Sequence, residues 1–220
     1  MGRPMPRTFV LVLVAVAALG LSGVALVVAF RPEPEAHVQQ AAPVGPVVVV
    51  PAQPVALKPR AGRTFGFDLA LRELDLIRPS RQRLAEDFSA ALLGGRALKL
   101  SEQRGKVVMI NFWATWCPPC REEMPAMERL WRHHRDQGFV MLAVSVDSVT
   151  AKVKPYIDEH GFTFPILLDP EMDVANAYGV RALPSSFFVD RHGQLTALAL
   201  GPRAWDSDAS HSLVEALLRR

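Results

Sequence analysis

Cysteine is almost missing from this chain of 220 residues: there are two, Cys117 and Cys120, and both belong to the one motif Cys117-Pro118-Pro119-Cys120. With no third thiol, no distant cysteine can resolve an oxidised sulfur. With no second pair, a four-cysteine zinc site cannot be completed. Net charge is only +3, and the Lys and Arg residues are scattered, so the basic stripe of a nucleic-acid-binding surface is also lacking. Any sulfur chemistry belongs to these two residues together, and no nucleic-acid partner is expected.

Charge is absent from the whole run Phe9 to Phe30. As a helix it would reach roughly 33 Å, enough for a hydrocarbon core. A buried soluble helix rarely stays apolar on every face for so long. A cleaved secretory signal would have a shorter apolar core with a small-residue cleavage site behind it, whereas this run is followed by Arg31-Pro32-Glu33-Pro34-Glu35. An uncleaved signal-anchor is therefore the reading. Arg3 and Arg7 precede the run and Arg31 alone follows it closely, which leaves residues 1–8 cytoplasmic and exports the rest. The expected location is the cell membrane, single-pass, with the larger part on the extracytoplasmic (periplasmic) side.

Seven prolines (Pro32, Pro34, Pro43, Pro46, Pro51, Pro54 and Pro59) punctuate residues 31–60 and favour extended backbone without internal hydrogen bonds. Residues 31–80 are taken as a Pro-rich stalk, although 61–80 also read as a short element docking on the domain, which is expected over 81–220. Phe88–Leu92 and Ala97–Leu100 flank Gly94-Gly95 as a hairpin, and Val107–Phe112 is an almost continuous apolar run suited to a strand covered on both faces. Arg121–Gln137 reads as a helix ended by Gly138, Phe139–Val146 as a second buried strand, and Thr150–His160 as a helix closed by Gly161. Phe164–Leu168 is a short extended piece and Asp173–Tyr178 a short helix. Ser185–Asp190 with Leu195–Leu200 makes a hairpin, and Ser210–Leu218 a terminal helix. Strands alternating with helices predict an α/β fold, a central mixed sheet flanked by helices.

The motif then falls at a strand-to-helix junction, with Cys117 at the helix N-terminus, where exposed N–H groups and the helix dipole favour a thiolate. Cys120 follows one turn in. This arrangement suits attack by Cys117 on a client disulfide and release by Cys120. A purely structural disulfide is the weaker reading, because so small a loop stabilises by only about 2 kcal/mol. A single C-x-x-C is half a zinc site, and His133 and His134, adjacent on a helix, are expected to point apart into solvent; no metal and no cofactor is expected.

Asn111-Phe112-Trp113-Ala114-Thr115-Trp116-Cys117-Pro118-Pro119-Cys120-Arg121-Glu122-Glu123-Met124-Pro125 resembles the active-site segment of membrane-anchored thioredoxin-like proteins of the TlpA/ResA group. The resemblance runs from about Ala85 to the C-terminus and includes Gly105-Lys106-Val107-Val108 and Leu183-Pro184-Ser185-Ser186-Phe187-Phe188-Val189-Asp190. It implies a thioredoxin-like fold and extracytoplasmic thiol–disulfide exchange, often on apocytochrome c or copper-site proteins. It also implies recharging by a membrane electron-donor thiol protein. Pro184 matches the family's cis-proline, which with Leu183 and Trp116 would bind an extended client. Pro125 matches a helix-kinking proline. Glu123 matches an acidic residue linked to thiol proton transfer, although Glu122 and Glu123 also simply suit a helix's first turns. Asn111 stands where thioredoxins carry a titrating Asp, which favours Glu123 as the base. Two other classes stay open: a copper(I) metallochaperone holding the ion between two thiolates, and a thiol peroxidase, whose Pro-x-x-x-Thr-x-x-Cys pattern is absent around Cys117.

Overall fold

The structure is a computed structural model and describes residues 62–220. The apolar run from Phe9 to Phe30 and the prolines up to Pro59 lie outside the described residues, so the anchor and most of the stalk are not addressed by it. Among the described residues no helix is long and apolar enough to cross a membrane.

Within the described residues, five α-helices and seven strands follow one another as α1 (Phe67–Glu73), β1 (Ser89–Leu92), β2 (Ala97–Lys99), β3 (Val107–Trp113), α2 (Pro118–His134), β4 (Phe139–Ser145), α3 (Val153–His160), β5 (Ile166–Leu168), α4 (Asp173–Ala177), β6 (Ser185–Val189), β7 (Leu195–Leu200) and α5 (Asp208–Leu218). The strands form one mixed sheet in the order β2-β1-β5-β4-β3-β6-β7. Its centre, β5-β4-β3, is parallel, and antiparallel partners close it on both sides. Every residue of β3 is buried, as its unbroken apolar run requires of a strand covered on both faces. Alternate β3 residues serve opposite layers. Asn111 and Trp113 meet Glu123 of α2 and Tyr156 of α3, while Phe112 meets Tyr178, which follows α4.

Two expectations are corrected. Residues 62–80 are not all stalk: α1 buries Phe67, Ala70 and Leu71, followed by Leu74, at helical spacing, and α1 packs along α5. Ile77 then bridges to Leu198 on the sheet edge. Arg203 holds this segment in place, donating from Nε to the Leu74 carbonyl (2.6 Å) and from Nη2 to the Asp75 carbonyl (2.9 Å). The packed domain thus extends back to residue 62 or so. The second correction concerns the histidine pair. His133 is exposed as expected, but His134 is fully buried and bonds His211 of α5. The backbone at His134 (φ −111°, ψ −9°) departs from regular helix, and the His133 and His134 rings lie 4.6 Å apart between centroids.

Candidate active site

The site forms where β3 ends. Cys117 is the N-cap of α2, with extended backbone (φ −95°, ψ 102°), and its carbonyl accepts from Arg121 N at 3.2 Å. Pro118 and Pro119 fill the first two helical positions, where proline fits because those N–H groups have no helical acceptor. They also remove two donors that could otherwise have faced the Cys117 sulfur. Cys117 and Cys120 are joined as a disulfide, with Cα atoms 5.4 Å apart. The two cysteines are unequal in access. Cys120 is wholly buried, while Cys117 keeps 4% exposure and lines a groove. The sequence places Cys117 at the surface; the structure sets it lower, in the groove floor.

That groove, of about 450 Å³, is walled by Trp116, Cys117, Pro118, Pro119, Val146, Met172 and the segment Val180–Leu183. Trp116, 65% exposed, stands on its rim. The Leu183–Pro184 bond is cis, as the family resemblance implies, and Leu183 is half-buried against the same groove. Of the three residues expected to bind a client, Trp116 and Leu183 meet Cys117 in this apolar depression, whereas Pro184 is buried and does not line it. Val146, Met172 and Arg181 were missed. They arrive from loops after β4, before α4 and after α4, and no local pattern marks them.

Behind the disulfide lies a buried polar cluster centred on Glu123, which is 5% exposed. Its Oε1 accepts from Asn111 Nδ2 (2.8 Å), and its Oε2 accepts from Arg203 N (3.1 Å) and from the Trp205 indole N–H (2.8 Å). Asn111 Nδ2 also donates to Ser186 Oγ (2.9 Å), whereas Asn111 Oδ1 is buried without a partner. Burial pushes the Glu123 carboxyl up to about 7; the donors from Arg203, Trp205 and Asn111 pull against it and lose. Cys120 and Glu123, three residues apart, share one face of α2. A carboxyl that titrates near neutrality beside the inner cysteine can hold or release a proton there. Trp205 and Arg203 are further residues that sequence reasoning missed; a lone Trp in the polar segment after β7 was the available signal. Pro125 lies within α2 and is exposed, so its role is confined to the helix.

A Cys-x-x-Cys disulfide at a helix start, and a groove running from it to Leu183 of the cis Leu183–Pro184 bond, define a thioredoxin-fold thiol–disulfide oxidoreductase. Comparison with known proteins agrees. Residues 82–198 match the model of the AhpC/TSA family. The chain is 39% identical over 127 residues to the thiol-disulfide oxidoreductase ResA of Geobacillus thermodenitrificans, covering 58% of this chain and 73% of the relative. To ResA of Geobacillus kaustophilus it is 41% identical over 117 residues, covering 53% and 67%. Among solved structures, a thioredoxin-family thiol:disulfide interchange protein of Chlorobium tepidum superposes with a TM-score of 0.55 at 31% identity, covering 64% of this chain and 99% of that one. The chain belongs to the AhpC/TSA family, among its ResA-like thioredoxin-fold members.

Proposed function

We propose that this oxidoreductase acts as a disulfide reductase on extracytoplasmic client proteins, apocytochrome c or copper-site proteins among them, from a membrane anchor at Phe9–Phe30. The observation that carries the reading is the asymmetric sulfur pair: Cys117 opens onto an apolar groove while Cys120 is sealed behind it. In the reduced enzyme the Cys117 thiolate attacks one sulfur of a client disulfide. A Cys117–client S–S bond forms, the client S–S bond breaks, and the displaced client sulfur takes a proton. Cys120 then loses its proton and attacks Cys117 Sγ, which re-forms the Cys117–Cys120 disulfide and frees the second client thiol. The client gains two electrons and two protons. A membrane thiol donor returns two electrons to the enzyme.

Glu123 is the group suited to accept the Cys120 proton during this second attack. The reducing direction is supported by Pro118 and Pro119: with fewer N–H donors the Cys117 thiolate is less stabilised, and a less stabilised reduced form makes a weaker oxidant. A peroxidase is disfavoured because Ile110 and Ala114 occupy the positions where its motif carries Pro and Thr.

Insulin-disulfide reduction by the full chain, set beside copper(I) titration of the reduced protein, tests the reading. Catalytic turnover of insulin that Cys117→Ser abolishes supports the reductase. One tightly held copper(I) per chain without turnover contradicts it in favour of a metallochaperone. Protease accessibility of the domain in intact spheroplasts checks the location.

A further inference from the structure

The far end of α2 carries a cluster of three side chains able to ligate a metal ion. Cys117 caps the first residue of this 17-residue helix, and His133 and His134 are its last two. At 1.5 Å per residue the two sites stand roughly 25 Å apart. His211, on the first turn of α5, meets them there. The ring centroids are 4.6 Å (His133–His134), 4.9 Å (His133–His211) and 5.1 Å (His134–His211) apart, and one nitrogen from each ring falls within 4.8 Å of the other two.

A satisfied core histidine is the plain alternative, and it explains only part of this. His134 and His211 share one hydrogen bond, Nε2 to Nδ1 at 3.0 Å. His134 Nδ1, the nitrogen not used in that bond, has no hydrogen-bond partner within range, and the Gln137 side chain acts on the ring. Nothing in a His134–His211 pair calls for the third ring of His133 to close the triangle.

The chemistry of the three rings suits a cation. Each imidazole can offer a ring-nitrogen lone pair to a divalent ion, and the rings of His134 and His211 are withdrawn in whole or in part from bulk solvent. Glu215 acts favourably on positive charge at both rings, and Asp206 and Asp208 do so at His211. Zinc–imidazole bonds of about 2.0–2.1 Å in tetrahedral geometry separate two ligand nitrogens by roughly 3.3 Å. The His134–His211 pair therefore needs to open by a few tenths of an ångström, and the exposed His133 ring to close on the two, since the three ligand atoms now lie within 4.8 Å of one another. His133 is exposed and His211 half-buried, which gives an ion a way in and leaves a fourth position for water. Three imidazoles without sulfur favour zinc, copper(II) or nickel over magnesium or calcium.

We propose that His133, His134 and His211 form a binding site for one imidazole-preferring divalent ion of the zinc class, which clamps the end of α2 to α5.

The test is calorimetric titration of Zn²⁺ into the full chain in its oxidised form, where the Cys117–Cys120 disulfide removes both thiolates as competing ligands. The proposal expects one ion per chain and a zinc-dependent rise in Tm. His133→Gln and His211→Gln should each weaken binding by more than about 100-fold, beyond the 10–100-fold typical of losing a supporting partner. His160→Gln and His192→Gln should leave it unchanged. His134 is left intact because its ring is fully buried, and circular dichroism of the exposed-site variant His133→Gln verifies its fold. No saturable binding below millimolar Zn²⁺, or binding that survives both His133→Gln and His211→Gln, overturns the proposal.

Discussion

Trp205 donates its indole N–H to Glu123 Oε2 at 2.8 Å, joining the segment before α5 to the helix that carries both cysteines. Trp205 is fully buried, and its ring lies 5.7 Å from that of Phe188 in the sheet. Trp205→Phe keeps most of that packing and removes one of the two donors to Oε2. It should cost about 1–2 kcal/mol in urea unfolding. Because that donor favours the carboxylate, the Glu123 pKa should move above its present value near 7, read as an upward shift of the corresponding limb in the pH–rate profile.

Glu123 itself makes stability depend on pH. Its folded pKa of about 7 lies above the ordinary 4.5, so between these values the folded chain holds a proton that the unfolded chain has lost. Stability attributable to this group is intact below about 4.5 and falls as pH rises toward 7 and beyond, by roughly 3 kcal/mol in all. Glu123→Gln should abolish that slope in the oxidised protein. The replacement is tolerable: its amide oxygen can still accept from Arg203 and Trp205, and Asn111 can turn its unpartnered Oδ1 toward the new NH₂. Insulin reduction near pH 7 should slow by about 10²-fold, the lower end for losing a general acid–base group.

Trp116 stands exposed on the groove rim and so contributes little to the fold. Trp116→Ala should change stability by less than about 0.5 kcal/mol. It should raise KM for a protein disulfide several-fold while leaving the rate with a small aromatic disulfide unchanged. Equal loss on both substrates would place Trp116 in the chemistry and not in client docking.

Docking of α1 is tested by Leu71→Ala. Leu71 is buried where α1 lies along α5, so the truncation should cost about 2–5 kcal/mol in urea unfolding. A change near zero is the result expected of a solvated stalk. Arg203 links this helix to the site, since its side chain grips Leu74 and Asp75 while its backbone N–H meets Glu123.

Much of this is legible residue by residue. β3 announces itself because burial on both faces demands an unbroken apolar run, and Gly161 ends α3 in the left-handed conformation expected there (φ 67°), whereas α2 stops at His134 and Gly138 (φ 95°) ends the 3-10 turn Arg135–Gln137 beyond it. The cysteine pair and Glu123 are local on one helix, so spacing alone relates them. α1 is undecided in the sequence because seven residues beside a proline-rich tract give too few turns for periodicity to decide, and its stability comes from α5, far along the chain. Met172, Arg181 and Trp205 join the site through loops. His211 meets His134 across 77 residues. Such encounters depend on topology, which no local pattern encodes.

The proposed chemistry requires Cys117 to be the sulfur that meets the client. Full-length Cys120→Ser and Cys117→Ser proteins, each reduced and mixed with a disulfide-bonded client, can be quenched with acid and resolved on non-reducing gels. Cys120→Ser should accumulate a covalent enzyme–client adduct, mapped by mass spectrometry to Cys117, and Cys117→Ser should form none. An adduct of comparable yield on Cys120 in the Cys117→Ser protein would contradict that assignment.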